Sequence, residues 1–333
     1  MRYTVSMRKR FLRILKYFSF LVFITIFIAL TGYFFWFWRN FSQTSQHNYS
    51  YFRQLARQIY QNKLSAFNVL ILGLDTRSSG ETLLTDTIII ASYLPNQKQI
   101  VSLSLPRDLW LSSLKTKINA LYFYGQKESQ PDGTDLMKEE IKRITDKEIK
   151  YSVLFDFDTI ADIVDILEGV EVEVAKSFDD DYFPSDDGNG GVVHLHFEKG
   201  KQRMDGQRVL QYIRSRKSAD LSEGTDKARI LRQQKVAMAL FEKVSSPRFF
   251  LFKPRVLGRL LAYWQNNVKA DLPLSVLSRM AVELLSSHQP WLFVNFPSEL
   301  LTNPPISKYG LWVWEPRLGN WEEIKNWINE NTR

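Results

Sequence analysis

Cysteine is absent from this 333-residue sequence, and histidine occurs only four times. Without cysteine the chain forms no disulfide, no thiolate zinc site and no cysteine nucleophile. The histidines (His47, His194, His196 and His288) are too scattered for a zinc signature. A nucleophile elbow, a P-loop and a dinucleotide-binding fingerprint are also missing.

Acidic residues are missing from the first 63 positions, which carry ten Lys or Arg. The remaining 270 residues carry 34 basic and 36 acidic side chains, so their formal net charge is −2. The basic excess of the chain therefore lies entirely in its N-terminal segment. Because a nucleic-acid-binding protein needs this excess on its folded surface, we expect no nucleic acid among the partners.

Residues 17–38 contain no charged side chain. About 20 apolar helical residues span the hydrocarbon core of a bilayer. Six basic residues precede the stretch, and Tyr33, Phe34, Trp36 and Trp38 form an aromatic belt at its end. The positive-inside rule predicts a single-pass protein of the cell membrane with a cytoplasmic N-terminus and an extracytoplasmic remainder. The alternative, a cleaved signal peptide, has a shorter apolar region of roughly 7–15 residues followed by small residues.

The pattern of the chain predicts five segments. They are a cytoplasmic basic segment at 1–16, a transmembrane helix at 17–38, a stalk at 39–66, the core of a globular domain at 67–245, and a helical and mixed completion of the same domain at 246–333. Within the core we predict strands at 67–72, 87–93, 99–105 and 170–174, and helices at 134–145, 159–167, 205–213 and 226–244. Alternating strands and helices predict an α/β fold, with an αβα sandwich around a central mixed sheet.

Two carboxylates stand at the ends of predicted strands. Asp75 follows the first strand and Asp86 begins the second. A carboxylate just beyond the carboxyl end of a strand lies where α/β sheets bind ligands. If the strands are neighbours, Asp75 and Asp86 meet across one loop, and with substrate phosphate oxygens they form a usual Mg²⁺ site. The spacing is equally compatible with two turn residues or helix caps.

Arg107 ends the third predicted strand, directly after Pro106. Proline closes the strand and directs Arg107 outward. A guanidinium group is always charged and has a planar fork that suits phosphate. The alternative role is a surface salt bridge with Asp108.

The densest group of polar side chains comprises Arg214, Arg216, Asp226, Arg229, Arg232 and Gln233. On a helix, Asp226, Arg229 and Gln233 share one face, and Arg232 lies close to it. Arg214 and Arg216 alternate at the end of the preceding segment. So many arginines beside few acids predict a di-anion as the ligand. The alternative is a solvated basic helix with an Asp226–Arg229 pair.

Two further features are interpreted as structural. The acidic run 179–187 lacks the spacing of a calcium loop, and we expect an exposed turn there. Four tryptophans near the C-terminus are expected to serve packing, with a sugar-stacking platform as the alternative: Trp312, Trp314, Trp321 and Trp327.

The order of the motifs resembles the LytR-CpsA-Psr family over about residues 67–240. The resemblance rests on Asn68-Val-Leu-Ile-Leu-Gly-Leu-Asp-Thr-Arg77, Thr85-Asp-Thr87, Ser104-Leu-Pro-Arg-Asp108, Lys117-Ile-Asn-Ala120, Asp205-Gly206-Gln207, Arg214-Ser-Arg216 and Asp226-x-x-Arg-x-x-Arg-Gln-Gln234. It implies a fold with a long apolar pocket for a polyprenyl chain. It also implies an enzyme that transfers a phosphate-linked glycopolymer from undecaprenyl pyrophosphate to peptidoglycan, for example teichoic acid or capsule.

The resemblance also implies roles for single residues. Asp75 and Asp86 look like the Mg²⁺ ligands, and Asp226 looks like the residue that orients the arginines. Seven residues look like the family's contacts to the pyrophosphate and the head group: Arg77, Arg107, Arg214, Arg216, Arg229, Arg232 and Gln233. The sequence departs from the family pattern at Leu111, where some members have a basic residue, and at Glu168-Gly169, where Gly-Gly is more usual.

Two other functions use the same residues. A polyprenyl-pyrophosphate pyrophosphatase would have water as the acceptor. A membrane-tethered lipid or glycan receptor would bind the pyrophosphate without turnover. The residues do not name the polymer, the acceptor hydroxyl, the general base or the oligomeric state.

Overall fold

A computed structural model describes residues 22–42, 53, 57–58, 60–61, 63–75, 84–127, 133–185, 191–218, 220 and 222–332. The helices are α1 (Val22–Ser42), α2 (Leu121–Lys127), α3 (Thr134–Thr145), α4 (Phe157–Ile166), α5 (Gly206–Arg214), α6 (Asp226–Ser245), α7 (Pro247–Phe252), α8 (Pro254–Asn267), α9 (Leu274–Leu284), α10 (Ile306–Tyr309) and α11 (Glu322–Asn331). The strands are β1 (Phe67–Asp75), β2 (Leu84–Leu94), β3 (Gln99–Leu105), β4 (Trp110–Leu111), β5 (Thr116–Lys117), β6 (Ile149–Asp156), β7 (Val170–Val174), β8 (Phe178–Pro184), β9 (Val192–Phe197), β10 (Gly200–Met204), β11 (Lys269–Ala270), β12 (Trp291–Asn295), β13 (Leu301–Thr302) and β14 (Glu315–Pro316).

The chain forms two compact units. The anchor unit comprises residues 1–47 and 246–266, and the globular unit comprises residues 48–245 and 267–333. This division differs from the prediction that 246–333 as a whole completes the globular domain. Residues 246–266 instead pack with the N-terminal helix.

The globular unit is built on a mixed six-stranded sheet. Its strand order is β11-β6-β1-β2-β3-β12. The β1–β2, β2–β3 and β6–β11 pairs are antiparallel, whereas β1–β6 and β3–β12 are parallel. The prediction of a central mixed sheet is confirmed.

Helices cover both faces of this sheet. On one face, Leu70 and Leu72 of β1 are fully buried in a core with Met137 and Ile141 of α3. On the opposite face, the hydroxyl of Tyr93 in β2 donates a hydrogen bond to Glu283 of α9. Apolar residues at alternate positions of these strands therefore face two helical layers. The predicted αβα sandwich is confirmed.

A second core joins α4, α5 and α6 to strands β7–β10. Its helices approach closely at Gly206, where an added Cβ would lie 2.5 Å from the carbonyl oxygen of Ala161. The carboxylate of Asp165 accepts a hydrogen bond from the Gly206 amide at 2.8 Å. This contact explains why Gly206 belongs to the motifs, because only glycine fits between the helices.

The predicted elements agree with the structure except in three places. Helix α1 continues through residues 39–42, which were predicted as stalk. Strand β12 lies in a region predicted to be mainly helical followed by a mixed tail. Most of the acidic run forms strand β8, in which Asp180 is only 1% exposed, so the prediction of an exposed turn is wrong there. Residues 186–190 of the run lie outside the described residues.

In the anchor unit, α1 is long and apolar enough to cross a membrane. Its described part begins at Val22, so residues 17–21 of the predicted span lie outside the description. The length and position agree with a single-pass anchor near the N-terminus.

Candidate active site

Strands β1 and β2 bring the two predicted metal ligands to one end of the sheet. The strands are antiparallel neighbours, and Asp75 pairs with Leu84, two residues before Asp86. The predicted meeting of Asp75 and Asp86 required these two strands to be neighbours, and they are. The side chain of Asp75 and the whole of Arg77 lie outside the described residues.

A β-bulge directs Asp86 out of the regular alternation. Gly73 pairs with Thr87 and Leu74 with Thr85, so Asp86 is the extra residue. Bulges bend a strand and turn one side chain away from its neighbours, often beside active sites. A Cβ on Gly73 would lie 2.9 Å from the Cβ of Thr87, so the close approach of the strands requires glycine here.

Arg107 connects this strand end to the following turn. Its Nη1 lies 2.6 Å from Oδ1 of Asp86, and its Nε lies 3.5 Å from Asp108. Asp108 has a shorter contact with Lys117, whose Nζ donates at 2.6 Å. The alternative salt bridge between Arg107 and Asp108 thus exists, but Asp86 is the shorter partner of the guanidinium.

The motif around Ile118 and Asn119 holds the Arg107 turn against β2. The amide of Asn119 donates to the carbonyl of Arg107 at 3.3 Å, and that of Ile118 to Leu109 at 2.8 Å. The buried hydroxyl of Thr85 donates to the carbonyl of Asn119 at 3.1 Å. Sequence analysis assigned no role to this motif, and these hydrogen bonds show that it supports the Arg107 turn.

Asp226, the first residue of α6, is the centre of the arginine group. Its carboxylate lies 3.5 Å from Nη2 of Arg229, 3.7 Å from Nε of Arg216 and 4.0 Å from Nε of Arg107. Three guanidinium groups therefore meet at one carboxylate: one from α6, one from the turn after α5 and one from the turn after β3. The predicted orienting position of Asp226 agrees with this geometry.

Burial distinguishes the arginines of this group. The side chain of Arg229 is 8% exposed and that of Arg216 is 44% exposed. Burial lowers the pKa of Arg229 below its ordinary value, and only Asp226 and Asp86 counteract this. Burial also lowers the pKa of Arg107, but Asp86, Asp226 and Asp108 outweigh it and raise the net value. A bound anion would stabilise the charged form of a guanidinium that is buried beside other cations.

One further atom supports an anion as the missing partner. Nε of Arg229 is buried and has no hydrogen-bond partner among the residues that the structure describes. Leaving a buried donor unpaired is costly. Gln233 lies one helical turn further along, with its Oε1 3.5 Å from the hydroxyl of Thr87. This arrangement can accept a doubly charged phosphate group.

Arg232 is not brought to this cluster. Its Nη1 donates to Glu223 at 2.8 Å, and its Nη2 donates to the carbonyl of Ser215. The guanidinium also lies over the rings of Phe178 and Tyr212, at 4.9 and 5.9 Å from their centroids. The structure therefore places Arg232 under the Ser215 turn, where it supports the chain, and not at the predicted head-group position.

Arg214 lies beside two aromatic rings. Its guanidinium carbon lies 5.2 Å from the ring centroid of Phe157 and 5.3 Å from that of Phe183. Arg214 is the last residue of α5, whereas Arg216 lies two residues further on, in the turn after the helix, where its guanidinium contacts Asp226.

Asp180 is a residue of the site that the sequence analysis missed. Its Oδ2 accepts hydrogen bonds from the hydroxyl of Ser215 at 2.6 Å and from the amides of Arg216 and Lys217 at 3.0 and 3.1 Å. Burial raises the pKa of Asp180, but these hydrogen bonds outweigh burial and lower the net value. The buried carboxylate therefore fixes the turn that presents Arg216.

An apolar strip lies beside the ionic cluster. Ile71 pairs with Ile89, and Gly73 pairs with Phe155, so these residues share one face of the sheet with Thr87. Ile71, Ile89 and Phe155 are only half-buried, whereas the residues of the other face are fully buried. This face can take up an apolar chain next to the charged groups.

The donor set at Asp86 fits a hard cation completed by substrate. The salt bridge with Arg107 uses Oδ1, and the structure shows no hydrogen bond to Oδ2 from the residues it describes. Among the described residues no group of three His, Cys, Asp or Glu could hold a metal ion. A cation bound here would need oxygens of a ligand in addition to protein carboxylates, as Mg²⁺ commonly does.

The sequence model of the LytR_cpsA_psr family matches residues 35–303. Among curated relatives, a polyisoprenyl-teichoic acid–peptidoglycan teichoic acid transferase, TagV of Bacillus subtilis (strain 168), is 27% identical over 284 residues, which are 83% of this chain and 67% of the relative. TagU of Oceanobacillus iheyensis, with the same description, is 29% identical over 226 residues, 67% of this chain and 64% of the relative. The chain thus spans about two thirds of the length of these relatives.

Solved structures show the same fold. The crystal structure of B. subtilis TagV has a TM-score of 0.60 and 22% identity, and the match covers 81% of this chain and 98% of that one. A structure described as a LytR-CPS2A-psr family protein, YwtF (TagT), with bound octaprenyl pyrophosphate lipid has a TM-score of 0.53 and 21% identity, over 82% and 94% of the two chains. The prediction of an enzyme is confirmed at the level of the curated relatives, which are named as transferases.

Proposed function

Because the chain belongs to the LytR-CpsA-Psr family, we propose that it transfers a phosphate-linked glycopolymer from a polyprenyl pyrophosphate carrier to peptidoglycan. The carrier we propose is undecaprenyl pyrophosphate. The relatives named as teichoic acid transferases and the relative with bound octaprenyl pyrophosphate support this substrate class.

The observation that carries the proposal is the convergence of three guanidinium groups on Asp226. Arg107 comes from a part of the chain more than 100 residues before Arg216 and Arg229, and all three lie within 4.0 Å of this carboxylate. A pyrophosphate carries the charge and the oxygen geometry that such a set binds. The buried Nε of Arg229 gains a partner when the anion arrives.

The apolar strip supports a lipid carrier. Ile71, Ile89 and Phe155 lie on the sheet face that also holds Gly73 and Thr87. A polyprenyl chain on this face keeps its pyrophosphate beside Asp86 and Asp226. The apolar pocket that the family resemblance implies would follow this face.

Asp75 and Asp86 would hold Mg²⁺ in this proposal. When bound, Mg²⁺ neutralises charge on phosphate oxygens and orients them. Oδ1 of Asp86 remains with Arg107, so the salt bridge also fixes the orientation of the carboxylate. The bulge at Asp86 and the pairing of Asp75 with Leu84 place both residues at one strand end.

The reaction is a displacement at phosphorus. A sugar hydroxyl of the acceptor attacks the polymer-side phosphorus, a new P–O bond forms, and the bond to the bridging oxygen breaks. Polyprenyl phosphate leaves with the bonding pair, and the proton of the acceptor hydroxyl passes to solvent. Arg107, Arg216 and Arg229 stabilise the charge that grows on the departing phosphate, and they are already oriented by Asp226.

We propose that α1 anchors this unit in the cell membrane, with the N-terminus in the cytoplasm and the globular unit outside. The six basic residues before the apolar stretch support this orientation. An acceptor in the cell wall requires the globular unit on that side.

The test uses the full chain with a lipid-linked polymer, peptidoglycan and Mg²⁺. We expect Arg216→Ala and Asp86→Ala each to lower the rate of polymer attachment by about a hundredfold or more. Arg143→Ala is the matched control, because its side chain is 41% exposed and pairs with Glu140 far from Asp226. Circular dichroism and the unfolding midpoint check that all variants fold.

The acceptor and a chelator separate the alternatives. Release of the lipid phosphate at the same rate without peptidoglycan would identify a pyrophosphatase. Tight binding of the lipid without turnover, unchanged by EDTA, would identify a receptor. Normal polymer attachment by Arg216→Ala would contradict the proposed role of the arginine cluster.

A further inference from the structure

Helix α8 touches helix α1 within the anchor unit. A Cβ added to Gly258 would lie 2.7 Å from the carbonyl oxygen of Phe37 and 3.1 Å from the amide nitrogen of Phe41. The two helix backbones are therefore in direct contact, and glycine is required at the crossing. Phe41 is fully buried and Phe37 is 6% exposed, so the contact is well packed.

The crossing lies at the depth where α1 leaves the apolar region. Arg39 is the first charged residue after Lys16, and it follows directly on the aromatic belt. The guanidinium of Arg255 lies 3.5 Å from the ring centroid of Trp36, and that of Arg39 lies 5.5 Å from it. Tryptophan and arginine together are typical of a membrane–water interface. Helix α8 thus meets the anchor at this level.

The composition of residues 246–267 fits a membrane surface. The segment contains four basic residues, no acidic residue and five aromatic residues. Its basic side chains are all exposed: Arg248, Lys253, Arg255 and Arg259. Phe252 at the end of α7 is 72% exposed, although it is one of the largest apolar side chains of the segment. Exposed aromatic and basic side chains on helices bind anionic bilayers.

We propose that residues 246–267 form a second membrane-binding element that lies on the surface of an anionic phospholipid bilayer beside α1. Its basic side chains contact lipid phosphates, and Phe252 enters the boundary between head groups and acyl chains. The occupant of this surface is the bilayer itself, because α8 is held against the anchor where α1 leaves the membrane. The inference rests on the proposed anchoring by α1 and does not depend on the transfer reaction.

The absence of cysteine makes the test direct. Phe252→Cys, labelled with an environment-sensitive fluorophore in the full chain, is placed in nanodiscs of phosphatidylcholine with or without phosphatidylglycerol. Some of the lipids carry a nitroxide quencher. We expect at least about twofold stronger quenching at position 252 in the anionic discs. Phe27→Cys, in the apolar part of α1, serves as the reference and is expected to be quenched equally in both discs.

Two further variants tie the result to the described contacts. Arg248→Gln combined with Arg259→Gln is expected to remove the dependence on phosphatidylglycerol. Gly258→Leu is expected to reduce quenching at position 252, because the side chain collides with the backbone of Phe37. Gly32→Leu is its control, since Gly32 on α1 has no atom within 4 Å of an added Cβ.

The outcomes test membrane binding by residues 246–267 separately from anchoring by α1. Quenching at position 27 but not at position 252 would overturn the second element and leave the anchor intact. Equal quenching at position 252 in neutral and anionic discs would overturn it as well, because the proposed surface is anionic. No quenching at position 27 would contradict the anchor itself. No substrate is present, so a loss of transferase activity does not affect the result.

Discussion

Asp180 illustrates how a single buried carboxylate supports a residue of the Asp226 cluster, Arg216. It binds the hydroxyl of Ser215 and two consecutive amides, while Arg232 holds the carbonyl of Ser215 from the other side. Arg216 follows Ser215 directly. The turn is therefore held from both sides before any ligand binds.

We predict that Asp180→Asn weakens catalysis without removing a substrate contact. The NH₂ group of asparagine cannot accept the hydrogen bonds that the Ser215 turn donates to Asp180. The variant is therefore expected to lose about 1–3 kcal/mol of unfolding free energy. Misplacement of Arg216 is expected to lower kcat by about tenfold or more. Denaturant unfolding and the transfer assay measure the two effects. Asp181→Asn, at an exposed position of the same strand, is the control, and equal kinetics in both variants would refute the role of Asp180.

Residue patterns predicted part of the site. The helical spacing of Asp226 and Arg229 was sufficient to place them together, because neighbours on a helix are set by local geometry. Arg232 has the same spacing from Arg229 and yet lies under the Ser215 turn. Its position depends on Glu223 and on the rings of Phe178 and Tyr212, which are tertiary contacts that no local pattern contains.

At the scale of elements, Glu168 has an unusual backbone. It ends the turn after α4 with φ of +61°, and Gly169 follows with φ of +81°. A side chain in the left-handed region costs roughly 1–2 kcal/mol. The departure from the more usual Gly-Gly pattern therefore places a strained residue before β7.

We predict that Glu168→Gly stabilises the globular unit by about 0.5–1 kcal/mol. Relief of the strain outweighs the roughly 0.5–1 kcal/mol that glycine loses through the entropy of the unfolded chain. Glu173→Gly, in the extended strand β7, has no strain to relieve and is expected to destabilise. Chemical denaturation measures both variants, and a destabilised Glu168→Gly would show that the turn carries no strain.

The β8–β9 hairpin carries a titratable cluster on its exposed side. Nδ1 of His196 lies 2.6 Å from Asp179, and its Nε2 lies 3.1 Å from Glu198. Hydrogen bonds that the His196 ring donates to these carboxylates raise the pKa of His196 above its ordinary 6.5. The stabilisation is fully present below the unfolded-state pKa and is lost as pH rises through the folded-state pKa.

We predict that the hairpin opens more readily at pH 8 than at pH 6. Hydrogen exchange of the β8 and β9 amides, corrected for intrinsic rates, measures the opening, and NMR titration reports the pKa of His196. Asp179→Asn is expected to lower that pKa and to weaken the pH dependence. A titration midpoint at or below 6.5 in the unmodified chain would argue against the ion pairs.

Element prediction failed where short apolar runs have no distinctive period. Thr134–Thr145 has a clear helical period and forms the helix as predicted. Trp291–Asn295 is only five residues long, and such a run cannot be assigned to a helix or a strand from periodicity alone. Its identity as a strand comes from pairing with β3, almost 200 residues earlier in the chain.

At the scale of the whole molecule, the anchor unit combines two distant parts of the sequence. Residues 246–266 are grouped with the N-terminal helix. We predict that removal of residues 1–47 speeds hydrogen exchange in 254–266 by about tenfold or more, because the contact at Gly258 is lost. Exchange in β1–β3 is expected to stay unchanged. Equal protection of 254–266 in both chains would show that α8 does not depend on α1.

The two outer strands of the main sheet both come from late in the sequence. β11 and β12 lie at residues 269–295, whereas β6 and β3, which they cover, are made much earlier. A nascent chain that has emerged only to Ser245 therefore exposes two unpaired strand edges, which are templates for aggregation. Until residues 269–295 have been made and have paired, both edges of the sheet therefore remain open to pairing with another chain.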